Sequence, residues 1–280
     1  MNIGIRLHDT AQGTLRERLA FAREQGFTCM HLAVSKTVPG FSMADSPALL
    51  AGEAGEAVEE AVKGGGIPCA VLGCYMQLAT ADGEALARTQ AAYFAHLRFA
   101  GRIGAAVVGT ETPPAKDLRF AEPVWESEDA LRLFIRCLEP VVRRAEEEGA
   151  VLAIEPVFRH IVSTPERAER VLDAVRSDHL RIILDAVNLL SPEGTQRAGA
   201  VIEDAIRRLG DRVSVLHMKD YRLIPGEPVP ESIACGTGSM RYERLLRFAK
   251  ERGLPMTLEN TTPANAVQTR LYLEEIAASL

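Results

Sequence analysis

Apolar and polar positions alternate on two length scales along this chain. Short apolar runs recur at Asn2–Leu7, Phe27–Val34, Ile67–Tyr75, Ala105–Thr110, Val151–Val157, Leu180–Val187, Val213–Met218 and Pro255–Glu259. Most are rich in Val, Ile, Leu and Ala without a strict period of two, the pattern of parallel strands covered on both faces. Longer amphipathic stretches separate them. Ala130, Phe134, Cys137, Val141 and Ala145 share one face of a predicted helix, which Pro140 interrupts. Val201, Ala205, Ile206 and Leu209 form a second stripe. Thr164-Pro165-Glu166 reads as an N-cap, a first-turn proline and an acidic residue at the positive helix end, opening a helix to Val175. Gly26, Gly149, Gly210 and Gly253 each follow a charged helix tail and precede a strand, where a left-handed residue ends the helix.

Eight βα units predict a (β/α)₈ barrel occupying residues 1–280 as a single domain. A doubly wound open sheet is the competing arrangement, but no GxGxxG follows the first run. The stretch Asn265–Ser279 supplies the last helix. The longest predicted loops, Ser35–Asp45, Glu111–Trp125 and Tyr221–Ser239, follow the second, fourth and seventh runs. All three therefore lie on the face where barrels carry their chemistry. Within the last of them, Pro225–Pro230 reads as a semi-rigid flap.

Composition narrows the partners. Hydrophobic residues make up 47% of the 280, enough for a large core. A net charge of −6 argues against a general nucleic-acid binder, which needs a basic face. Five cysteines (29, 69, 74, 137 and 235) form no CxxC pair, and Cys29, Cys69 and Cys74 sit in apolar runs as small hydrophobes. The start, Met1-Asn2-Ile3-Gly4-Ile5, has no basic n-region, and no window reaches the ~20 apolar residues of a membrane helix. The expectation is a cytoplasmic protein with a small-molecule substrate and without nucleic-acid or membrane partners. Assembly into a homo-oligomer is compatible with it.

The strongest chemical signal is positional. Four successive runs each end in a potential metal ligand: Glu155, Asp185, His217 and Glu259. Polar groups at adjacent strand ends converge above a barrel. Three carboxylates packed together repel one another and need a compensating cation or proton. With one imidazole they suit one fairly hard divalent ion, Mn²⁺ or Mg²⁺ in preference, with Zn²⁺ and Co²⁺ as alternatives. One such residue alone reads as a helix cap or a satisfied core group; four in consecutive runs do not. Candidate substrate contacts around them are Asn188, Lys219, Arg222, His8 and Glu111. Lys219 reads equally well as the partner of Asp220. His160 and Arg159 follow Glu155 on a loop within reach of substrate. His31 reads as a core residue, and His96 and His179 carry no role. Gly236-Thr237-Gly238 offers amides to an anion, although a plain turn is the simpler reading.

The E…D…H…E order, the H-x-K-D turn at His217–Asp220, the opening Ile3-Gly4-Ile5, the helix end Ala22-Arg23-Glu24-Gln25-Gly26-Phe27 and Gly236-Thr237-Gly238 together resemble the xylose-isomerase-like barrel superfamily along the whole chain. That superfamily includes ketose 3-epimerases, inosose dehydratases and metal-dependent apurinic-site endonucleases. The resemblance implies a metal-dependent sugar or polyol isomerase or epimerase. In it Glu155 and Glu259 would be both ligands and the acid–base pair, moving a proton through an enediolate. The sequence departs from the ketose 3-epimerases in two places. Asn188 stands where that family usually has a histidine, and Arg222 lies one residue closer to the seventh strand than the family's arginine.

A lyase of the inosose-dehydratase type is the alternative on the same metal site. An apurinic-site endonuclease would need a multi-metal cluster with more histidines than the six present, and no D-x-H follows the seventh run. A non-catalytic sugar-binding barrel would not need both glutamates.

Overall fold

The computed structural model describes all 280 residues, Met1–Leu280. Eight parallel strands close into a barrel: β1 (Ile3–Arg6), β2 (Met30–Leu32), β3 (Cys69–Gly73), β4 (Val107–Glu111), β5 (Leu152–Glu155), β6 (Leu180–Asp185), β7 (Val213–Met218) and, as the eighth stave, β10 (Met256–Leu258). Closure is made by β1 pairing with β10, Ile3 opposite Met256 and Ile5 opposite Leu258. The strands are shorter than the apolar runs because the flanking apolar residues turn into loops and helices. Two further short strands, β8 (Asp220–Arg222) and β9 (Glu231–Ile233), pair antiparallel outside the barrel. The predicted flap is the tip of this hairpin.

Helices connect consecutive staves. The helix Glu128–Glu148 runs unbroken through Pro140 and is capped by the Ser127 hydroxyl and by Gly149 at φ 63°. Thr164 accepts from the Arg167 amide and Pro165 opens the helix to Val175, as the sequence predicts. Gly26 and Gly253 adopt positive φ, but Gly210 does not; it opens a 3₁₀ turn, Gly210–Arg212, at φ −53°. The last helix spans Ala266–Ala278. No helix is long and apolar enough to cross a membrane.

Each strand feeds two apolar layers. Leu152, Ile154, Ile182, Leu184 and Leu216 belong to the large core between strands and helices. Their neighbours Ala153, Ile183 and Val215 join Cys29, Val71 and Val107 in a second, smaller cluster. Ile183 reaches across to Val71, and a β-carbon on Gly109 would lie 2.7 Å from both. The small cluster therefore fills the barrel interior. Because side chains alternate along a strand, residues two positions further on also point inward, nearer the C-terminal rim.

Candidate metal centre and pocket

That parity delivers Glu155, Asp185 and His217 to one interior level, and Glu259 joins them two residues after the buried Thr257. Register aligns them further: Asp185 lies opposite His217 on β6 and β7, and Glu111 opposite Glu155 on β4 and β5. All four predicted ligands are at least 94% buried, the most exposed being Glu259 at 6%. His217 Nδ1 sits 3.0 Å from Glu155 Oε2 and 3.2 Å from Glu259 Oε1. Asp185 accepts the Val187 and Asn188 amides on Oδ1 at 2.9 and 3.0 Å, leaving Oδ2 turned toward the group. Ligand atoms of Glu155, Asp185 and His217 lie within 4.8 Å of one another, as do those of His31, His217 and Glu259.

The donors fit a divalent ion. His217 Nδ1 and Asp185 Oδ2 are buried and accept or donate no aligned hydrogen bond. Three carboxylates and an imidazole supply the hard, anionic donor set such an ion takes. Electrostatics agree with this. Burial alone would strip the proton from His217, but Glu259 and Glu155 overcome it and raise the imidazole to about 9. Burial lifts Asp185 to about 6 despite Lys219 beside it. Glu259, although burial works against its charge, is held well below the carboxylate range by His217, Lys219 and Arg6. In the absence of an ion, protons and ammonium groups thus supply the positive charge the carboxylates require.

Each glutamate has its second oxygen held by a neighbour. The Asn188 amide donates to Glu155 Oε1 at 2.5 Å. Lys219 Nζ donates to Glu259 Oε2 at 3.1 Å, and Arg6 Nη1 approaches the same oxygen at 3.5 Å. Lys219 pairs with Asp185 and Glu259, and so does not take the alternative role of partner to Asp220.

Beside this group opens a cavity of about 380 Å³, lined by Arg6, His8, His31, Ala33, Ser35, Lys36, Met43, Gly73, Tyr75, Gln77, Thr110, Glu111, Pro113 and Glu259. His8 and Glu111 therefore reach the place the sequence suggested. Burial, then Glu155, pushes Glu111 up to about 7, and burial lowers His8 to about 4. Arg222 does not reach it. Its side chain on the hairpin is 58% exposed and faces Glu231 Oε2 at 3.8 Å, because β8 and β9 carry that segment away from the rim. Arg222, expected from the sequence as a substrate contact, therefore lies outside this cavity. His160 lies 3.7 Å from Glu111 Oε2, while Arg159 turns to the Trp125 ring.

Arg6, His31 and Tyr75 are pocket residues that the apolar pattern does not mark. His31 is no ordinary core histidine; it stacks between His217 (centroids 5.3 Å apart) and Tyr75 (5.7 Å). The signal was available. Counting in twos from the interior residues Gly4, Cys29 and Val71 gives Arg6, His31 and Tyr75. The Gly236 and Gly238 amides do meet an anion, the chain's own Asp220. Its carboxylate gathers the amides of Tyr221, Gly236, Gly238 and Met240 at 2.8 to 3.0 Å. A β-carbon on Gly238 would strike Tyr221 O at 2.3 Å, so only glycine fits there.

Comparisons with known proteins agree with this architecture. A stretch of 97 residues, 33% of this chain, is 36% identical to a D-psicose 3-epimerase of Enterocloster bolteae. The match spans 30% of that relative. The apo 3-keto-D-glucoside 4-epimerase YcjR of E. coli superposes with a TM-score of 0.73 at 17% identity, covering 98% of this chain and 99% of that one. An IolI protein crystallised with a bound zinc atom gives 0.71 at 16% identity, covering 100% and 99%. These structural likenesses establish the fold. The family model described as the xylose isomerase-like TIM barrel matches residues 19–277. With the closed barrel and that match spanning nearly its full length, the chain belongs to the xylose isomerase-like TIM barrel family.

Proposed function

We propose that this protein is a metal-dependent isomerase or epimerase acting on a sugar or related polyol, with Glu155 and Glu259 exchanging a proton with the carbon beside the substrate carbonyl. The observation that carries this reading is the convergence of those two carboxylates on His217 Nδ1, at 3.0 and 3.2 Å, beside a polar cavity of about 380 Å³. The D-psicose 3-epimerase match supports the same chemistry. Glu155, Asp185, His217 and Glu259 would hold one divalent ion, Mn²⁺ or Mg²⁺ in preference to Zn²⁺ or Co²⁺. When bound, it would polarise the carbonyl and stabilise the charge that develops as the proton leaves.

The chain's own groups do the rest. Asn188 fixes Glu155, while Lys219 and Arg6 fix Glu259, so each carboxylate is held in one orientation. Proton transfer depends on such fixed geometry. The Tyr75 ring, stacked on His31 and 40% exposed, offers an apolar face to the carbon skeleton. Gln77 and Ser35 supply hydrogen-bonding groups around it.

The test is turnover of a panel of ketoses and inososes in deuterium oxide, with each metal supplied in turn and product followed by NMR. Epimerised product labelled at the carbon next to the carbonyl supports the proposal. Loss of water to an unsaturated product would replace it with the lyase reading.

A further inference from the structure

Lys219 lies among the carboxylates. Its ammonium is 2.9 Å from Asp185 Oδ2 and 3.1 Å from Glu259 Oε2, and its side chain is 6% exposed. An ammonium this deep has lost most of its hydration, and only close counter-charge offsets that cost. Both of its partners belong to the group assigned above to a divalent ion. Asp185 Oδ1 is already committed to two backbone amides, so Oδ2 is the oxygen free for a cation, and Lys219 faces it. The ammonium and an ion therefore draw on the same oxygens.

We propose that Lys219 is a built-in counter-cation of this centre, which weakens its hold on a divalent ion and in return leaves the ion-loaded site without net charge. The inference rests on the metal-dependent reading. Three carboxylates bring three negative charges, the divalent ion returns two, and Lys219 returns the third; Arg6, 3.5 Å from Glu259, is balanced by Asp9 at 2.9 Å, and His217 counts as neutral when it acts as a ligand. Without Lys219 the loaded site would be anionic, and a substrate losing a proton would add a like charge to it. With Lys219 that negative charge forms beside a neutral centre. The same ammonium stands close to where the ion would sit, and like charges at such separations repel strongly in a buried site. One residue thus trades ion affinity against tolerance of an anionic reaction intermediate.

The test uses full-length protein stripped with chelator and titrated with Co²⁺, read by cobalt absorption and by competition with a metal indicator. Lys219→Met removes the charge at similar length, and Lys219→Arg retains it. Lys219→Met should bind Co²⁺ at least about tenfold more tightly than wild type, with Lys219→Arg close to wild type. Its chelated form should melt below chelated wild type, and Co²⁺ should close that gap. Equal or weaker cobalt binding by a folded Lys219→Met overturns the inference and leaves the proposed function standing. Cobalt binding by Lys219→Met but not by wild type would show that Lys219 occupies the site in place of an ion, which overturns both the inference and the metal-dependent reading. No cobalt in either protein defeats both. If Lys219→Met does not fold, Lys219→Gln, which still donates hydrogen bonds but carries no charge, takes its place. Failure of both variants to fold even when expressed with cobalt would also refute the idea, since an ion should then replace the ammonium.

Discussion

Strands β5, β6, β7 and β10 bring Glu155, Asp185, His217 and Glu259 to the inner rim, whereas β1 to β4 bring Arg6, His31, Gly73 and Gly109. The first set is crowded with charge and closed to solvent. The second is cut back to glycine on two strands, and the cavity opens over it: of the residues lining that space, only Glu259 comes from the charged side. Gly109 gives its space to the Ile183 and Val71 side chains of the barrel interior, whereas Gly73 lines the cavity itself. A β-carbon at Gly73 would come within 2.8 Å of the Tyr75 ring and 3.0 Å of His31 Nε2. The lesson is a division around one ring, with buried charge on one arc and open space on the other.

Substitutions on the charged arc should have the largest effects. Asp185→Ala should nearly abolish ion binding, and activity with it, because it removes an anionic donor and leaves Lys219 with one partner fewer. Metal analysis should find about one equivalent in wild type and almost none in the variant. Two or three tightly held ions in wild type would break the single-centre picture. Glu155→Gln and Glu259→Gln should each lower kcat by about 10² or more while much of the ion is retained. Near-normal turnover in both would remove the proton-transfer role of this arc.

The glycine arc should respond in KM. Gly73→Ala should raise KM by roughly tenfold, since the added methyl pushes Tyr75 and His31 into the cavity, and the metal content should stay at the wild-type level. Loss of metal in that variant would show that the two arcs are not separable. Asn188 lies on the charged arc, donating to Glu155 Oε1 at 2.5 Å, and Asn188→Ala should shift KM or sugar preference with the ion retained; an ion-free protein would make Asn188 part of the centre instead.

The smallest expected effect is on stability. In chelated protein His217 is raised from 6.5 to about 9. A raised histidine stabilises the fold fully below its unfolded value, and that contribution is lost as pH climbs through the folded value. Chelated protein should therefore melt several degrees lower at pH 9 than at pH 6.5. Bound ion should flatten that slope, because a ligand imidazole carries no extra proton. An unchanged slope on loading would mean that His217 is not a ligand.

The fold and the charged arc were legible in the sequence for the same reason. Eight apolar runs mark eight staves, and a single carboxylate or imidazole at the end of such a run contrasts sharply with Leu-Ala-Ile or Ile-Ile-Leu before it. The glycine arc was not legible in that way. His31 is embedded between Met30 and Leu32, which pack outward, so its run reads as uniformly apolar unless positions are counted in twos. Arg6 precedes Leu7 with no break in pattern. Arg222 lies outside the cavity because spacing along the chain does not fix direction in space. Beyond Lys219 the backbone leaves the barrel, and the Asp220 carboxylate that bends it pairs with amides up to twenty residues ahead.

That same Asp220 has a consequence for how this barrel can change over generations. It draws together amides from both ends of the excursion after β7, Tyr221 on one side and Gly236, Gly238 and Met240 on the other. The intervening tip, residues 223–230, is thus tied off at its base like a loop of thread. It can be lengthened, shortened or exchanged without loosening the rim that carries Lys219 and His217. A lineage can alter what stands over the mouth of the barrel while inheriting the buried charged cluster unchanged.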